Sequence, residues 1–174
     1  QLGGGFHRYC VDADWTVPHF EKMLCDNALL LPLYLDQEAR GAGRAPRRAA
    51  EATVGWPLRE MRHPQGGFYA AQDADQEGGE GSTFVWRPGE FEALLGAEDG
   101  AWAAAQLGVT AAGSFEHGSS VLTRREAPLD ESGEARLDRL VQRLLVARDR
   151  RPRPATDTKL LCGWNGLTIS ALVD

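Results

Sequence analysis

Apolar residues along the 174-residue chain fall into helical spacing over several stretches, separated by breaks rich in glycine and proline. Pro18 lacks the N–H that goes unpaired at a first helical position. From there Phe20, Met23, Leu24, Asn27, Leu30 and Leu31 follow the 3.6-residue period and predict a helix. Pro32 is expected to kink or stop it, with Leu33–Ala39 as its continuation. Gly41–Pro46 reads as a loop, and Arg47–Met61 as a weaker helix interrupted by Gly55 and Pro57. Gly67–Ala71 and Thr83–Trp86 are short aromatic runs on either side of acidic and glycine residues, the pattern of a β-hairpin with a long loop. Helices follow over Pro88–Leu95, stopped by Gly96, and over Ala101–Leu107. The cleanest is Glu134–Arg148, where Leu137, Leu140, Val141, Leu144 and Leu145 make one apolar face. A last element begins at Leu161. The pattern predicts a mainly α chain with a small β-hairpin insertion.

Composition adds exclusions. Hydrophobic residues are 43% and charged residues 25%, which is the balance of an ordered globular chain rather than a disordered one. The length suits one domain over residues 1–174. A formal net charge of −6 argues against a nucleic-acid partner. No apolar run has the length of a membrane-spanning helix, so no membrane partner is expected. Cys10, Cys25 and Cys162 form no C-x-x-C pair and match neither a zinc site nor a disulfide framework, which predicts reduced thiols in a cytoplasmic protein. No metal and no cofactor is expected. Gln1 in place of a methionine, and an apolar run cut at Asp174, predict a chain truncated at both ends. The arginines Arg143, Arg148, Arg150, Arg151 and Arg153 read as a solvated helix face, with a phosphate site as the sharper alternative.

Four segments carry candidate chemistry. Gly3-Gly4-Gly5-Phe6-His7-Arg8-Tyr9 lacks the pattern of a phosphate loop. Its glycines permit close backbone approach to a ligand or a helix, and they place His7, Arg8 and Tyr9 on a tight loop. Trp15 to Met23 puts His19 and Glu21 at the start of the first predicted helix. There the dipole favours neutral imidazole, the form a general base needs; a core histidine and a dipole-serving glutamate are the plain readings. Asp73, Asp75, Glu77 and Glu80 with Gly78 begin like a calcium loop, but Phe84 stands where the twelfth-position glutamate belongs. In an extended chain Asp73 and Asp75 face one side and can divide acid and base roles, or they cap turns and pair with arginines. In Asp157 to Gly166, Lys159 supplies charge, Trp164 a stacking surface or a core residue, and Asn165 a hydroxyl reader or a helix cap.

Taken in order, G-G-G-F-H-R-Y, W-x-V-P-H-F-E-K-M-L-x-D-N-A, G-G-F-Y-x-A-x-D-A-D-x-E-G-x-E-G, V-W and R-x-x-R-x-x-P-x-x-D-x-K-x-L-x-x-W-N-G-L resemble the spermatogenesis-associated, thioredoxin-domain-containing proteins and their bacterial YyaL-type relatives. The resemblance implies an incomplete (α/α)6 toroid, similar to N-acylglucosamine 2-epimerases and six-hairpin glycosidases and holding about half of its twelve helices. The family's thioredoxin-like domain is a partner from the same full-length chain and is absent here. A carbohydrate ligand is implied. Epimerase chemistry assigns His7 and His19 as base and acid, with Arg8 polarising a carbonyl. Glycosidase chemistry assigns Asp73 and Asp75, or one of them with Glu21. Tyr9, Trp15, Tyr69, Asp157, Lys159, Trp164 and Asn165 are the implied substrate contacts. A non-catalytic module presenting a client to the thioredoxin-like domain is the alternative. Cys10, Cys25, Ser114 and Thr158 depart from the family's usual residues.

Overall fold

The computed structural model describes residues 2–124 and 129–173. The expectation of truncated ends rests on Gln1 and Asp174, which lie outside the described residues. The chain is mainly α, with short strands in small sheets. It divides into two compact units. The first holds Leu2, residues 10–18 and 77–153; the second holds residues 3–9, 19–76 and 154–173.

In the first unit, α3 (Pro88–Leu95), α4 (Ala97–Gln106) and α5 (Glu131–Arg148) enclose a core of Trp86, Phe91, Leu95, Ala103, Leu137, Leu140 and Leu144. Helix α3 has the predicted bounds, and Gly96 ends it at φ 89°. Helix α4 begins four residues earlier than predicted. Its Gly100 does not break it but lets it approach α3, since a Cβ there would lie 2.8 Å from Glu92 Cα. Helix α5 starts earlier because Asp130 caps it, its Oδ1 accepting from Gly133 N at 2.8 Å.

The predicted strand at Thr83–Trp86 does not form. Arg151 lies over the Trp86 ring, 3.7 Å from its centroid, and donates to the carbonyls of Thr83 at 3.0 Å and Val85 at 2.8 Å. The N–H groups of Phe84 and Val85 turn back to Gly81 O at 2.8 and 3.1 Å, so residues 83–85 run as a turn, and Trp86 makes an isolated bridge to Ser120. The arginine cluster is a solvated face at Arg143, Arg150 and Arg153, which are exposed, but not at Arg148 and Arg151. Arg148 is buried and donates to Leu2 O at 2.8 Å, and Arg143 reaches Leu94 O at 2.6 Å.

In the second unit, α1 (Leu24–Ala39) packs against α2 (Arg44–Glu60) and α6 (Cys162–Val173). The first helix starts at Leu24, not Pro18. Pro18–His19 form β2, which pairs with β1 (Tyr9–Cys10). Lys22–Met23 form β3, which pairs with β4 (Ala71–Gln72). Sheet bonds thus take backbone groups that a helix from Pro18 would need, and His19 does not sit in a helical first turn. Pro32 and Pro57 stand inside continuous helices. A helical proline forfeits one bond; Leu31 beside Pro32, and Trp56 with Pro57 itself, are buried at these points. Among the described residues no helix is long and apolar enough to cross a membrane.

Candidate functional site

Strand β5 (Thr156–Asp157) joins β3 and β4 in a three-stranded antiparallel sheet of order β3-β4-β5. Met23, Ala71 and Asp157 align across it, as do Lys22, Gln72 and Thr156. Continued one step, this register sets Glu21 opposite Asp73, where Asp73 N donates to Ala155 O at 2.8 Å. Side chains alternate between faces with period two, so Glu21, Asp73 and Asp157 share one face. All three line a cleft of about 310 Å³ with Ala71, Ala155 and Thr156.

The three carboxylates have different surroundings. Glu21 Oε2 accepts from Arg8 at 3.0 Å and lies 3.7 Å from His19 Nε2. Asp157 pairs with Lys159 Nζ at 2.9 Å, and that ammonium with the Lys159 N–H holds its carboxyl below the ordinary value. Asp73 has no cationic partner among the described residues. Its Oδ1 accepts from Asp75 N at 3.2 Å, so the segment turns instead of running extended. Asp75 is therefore not on the cleft wall beside it. Among the described residues no group of three or more His, Cys, Asp or Glu is arranged to hold a metal ion.

The glycine loop reaches the site from α2. Gly3, Gly4 and Gly5 all have positive φ. A Cβ on Gly4 would sit 1.9 Å from Ala52 O, and one on Gly5 2.5 Å from the Trp56 ring. The close approach is to a helix, the structural one of the two alternatives. Beyond it Phe6 is gripped by Asn27, whose Oδ1 accepts from Phe6 N at 2.6 Å and whose Nδ2 donates to Phe6 O at 3.1 Å. His7 then places Nδ1 3.0 Å from Phe20 O. A carbonyl only accepts, so Nδ1 carries the proton and the lone pair is on Nε2. Loss of water around the ring, then the charge of Lys22, hold its pKa well below the usual value. These two effects favour neutral imidazole at His7. Tyr9 stacks on His19 with centroids 4.9 Å apart at 22°.

The remaining candidates of the second unit do not line the cleft. Tyr69 packs edge-on against His63 at 5.4 Å. Trp164 is half-buried on α6. Asn165 spends its amide on Phe68, accepting from its N–H at 2.7 Å and donating to its carbonyl at 3.0 Å. Trp15 belongs to the first unit, 81% exposed at φ 56°.

The opposite face of the sheet holds residues that sequence reasoning did not single out. Lys22 is fully buried, with Nζ donating to Gly4 O at 2.7 Å and lying 5.8 Å from the Trp56 ring. Trp56 Nε1 donates to Gln72 Oε1 at 2.8 Å, and Gln72 Nε2 to Glu60 Oε2 at 3.1 Å. This polar layer ties the sheet to α2 and to the glycine loop. One signal was present for Asn27: a polar residue inside an apolar helical stripe requires hydrogen-bond partners. Lys22 and Gln72 carry no comparable signal.

The chain is similar to a segment of spermatogenesis-associated protein 20. The Homo sapiens protein is 34% identical, over 97% of this chain and 26% of its own length. The Rattus norvegicus protein is 33% identical over the same shares. An uncharacterized Caenorhabditis elegans protein is 30% identical over 99% of this chain and 28% of its own. The chain spans about a quarter of the length of these curated relatives. No family model matches the sequence.

Proposed function

We propose that this chain is part of an (α/α)6 toroid in a spermatogenesis-associated, thioredoxin-domain-containing protein, and that its carboxylate cleft performs acid–base chemistry on a carbohydrate. One observation carries the reading. Glu21 and Asp73 lie side by side on one face of the sheet in unlike surroundings, Glu21 held by Arg8 beside His19 and Asp73 with no cationic partner among the described residues. Like charges set opposite on a sheet are destabilising, and unlike environments divide acid from base roles. Lys159 and Arg8 offset the charge at two of the three carboxylates. Tyr9, stacked on His19, supplies an aromatic surface beside Glu21, suited to a sugar face.

Within this reading Glu21 and His19 relay a proton, and Asp73 acts on the reacting carbon or the glycosidic oxygen. The test is a panel of reducing sugars and aryl glycosides, incubated in heavy water with a polypeptide of the relatives' length. Loss of the sugar C2 proton signal means epimerase or isomerase chemistry; new reducing ends mean hydrolysis. Folded protein that produces neither sinks the proposal.

A second reading has its own observation. Trp15 is exposed at a positive φ, in a loop closed by Asp12, whose Oδ1 accepts from Thr16 N at 3.0 Å and Val17 N at 2.7 Å. Strain held in an exposed aromatic fits a recognition tip. On that reading the module presents a client to the thioredoxin-like domain. Trp15→Ala then weakens client binding, in a folded protein that turns over no sugar.

A further inference from the structure

Helix α6 contains no charged residue; its sequence is CGWNGLTISALV. One side is occupied, since Thr168 and Ala171 are buried and α1 packs against the helix. On the other side Cys162, Gly166, Ile169 and Val173 follow i, i+4, i+7, i+11 spacing and form one stripe. All four are exposed, Ile169 at 58% and Val173 at 80%. An apolar helix face without charged residues is ordinarily packed against another element.

Gly166 points the same way independently. Its backbone is helical, and a Cβ there would meet nothing within 4 Å. Glycine inside a helix costs conformational entropy that a larger residue does not. Among the described residues nothing uses its small size.

We infer that this stripe is the seat of a further helix, supplied by the rest of a longer polypeptide. That helix is apolar on the side facing α6 and approaches its backbone closely at Gly166. The relatives supply the length, since this chain spans only 26% of the human and rat proteins. A second copy of this chain fits less well. Ile169 and Val173, the large apolar residues of the stripe, together expose on the order of 250 Å², against roughly 800 Å² per partner in a stable dimer. A helix from the same chain avoids the association entropy that so small a patch cannot offset. The inference names the surface on which the proposed toroid continues. It is independent of the cleft chemistry, and a cleft without turnover leaves it standing.

Cys162 is a native probe, because it is an exposed thiol on the stripe. In a polypeptide of the relatives' length, Cys162 is expected to react with a maleimide about a hundredfold more slowly than in the denatured chain. Gly166→Leu is expected to lower the melting temperature by several degrees and to speed Cys162 labelling. Labelling of Cys162 at the denatured rate in the folded polypeptide overturns the inference. So does a Gly166→Leu variant that melts at or above the wild-type temperature, since leucine is the better helix former on an open face. Protection that disappears on dilution, with a dimer mass by light scattering, assigns the stripe to a second copy and also overturns it.

Discussion

Asn165 on α6 holds the backbone of Phe68 at two points, accepting from its N–H at 2.7 Å and donating to its carbonyl at 3.0 Å. Asn27 on α1 does the same to Phe6, nearly at the start of the chain. Two loops, one leading to His7 and the other to β4, are thus fixed by amides reaching out from helices.

These clamps carry stability. Asn27→Ala leaves the Phe6 N–H and carbonyl without their partner, and Asn165→Ala does the same to Phe68. Each unsatisfied buried group costs about 1–3 kcal/mol. Urea denaturation of Asn27→Ala is expected to show the larger loss, because Asn27 is 2% exposed. Equal stability of wild type and Asn27→Ala would contradict the clamp.

Gly4 is a steric requirement. Gly4→Ala places a Cβ against Ala52 O at a φ of 71°, so both the left-handed backbone and the clash act against it. The combined cost is about 2–5 kcal/mol. Gly41→Ala pays only the backbone term, because a Cβ there meets nothing within 4 Å. The difference between their denaturation midpoints isolates the contact with α2.

Lys22 ties the sheet to the glycine loop. Lys22→Met keeps the apolar stem and removes the charge-assisted bond to Gly4 O. The expected loss is about 1.5–3 kcal/mol. It is accompanied by faster hydrogen exchange at the amides of residues 4–7. An unchanged exchange pattern would detach Lys22 from the loop.

His7 makes stability depend on pH. Its folded pKa is well below the ordinary 6.5. As pH falls through 6.5 the unfolded ring takes up a proton and the folded ring does not, so the unfolded state gains and stability drops. The slope is at most about 1.4 kcal/mol per pH unit. It sets in above the range where the depressed carboxyls of Asp12, Asp130 and Asp157 act, since their ordinary value is 3.8. His7→Gln is expected to flatten the stability profile between pH 6.5 and 5. A profile identical to wild type would contradict a neutral, half-buried imidazole.

Elements with a long local pattern were legible in the sequence. Pro88–Leu95 has a proline start and a glycine stop, and the apolar face of α5 repeats through several turns. The strands were not legible. Each is two residues long, too short for any period, and β3, β4 and β5 come from distant parts of the chain. Missing β3 carried the first helix back to Pro18 and gave His19 a dipole it does not feel. Missing the turn that sends the Phe84 and Val85 N–H groups back to Gly81 gave Thr83–Trp86 a strand it does not form. Glu21, Asp73 and Asp157 were recognisable as chemistry-bearing residues. Their meeting on one face depends on the sheet register, which no local feature encodes.

The central claim concerns that face, and Asp73→Asn tests it most directly. The substitution keeps the size of the side chain and its acceptance of the Asp75 N–H while removing the charge. In a polypeptide of the relatives' length, sugar turnover is expected to fall about 10²–10⁴-fold, with the melting temperature unchanged. Turnover at the wild-type rate by the Asp73→Asn protein would contradict the account.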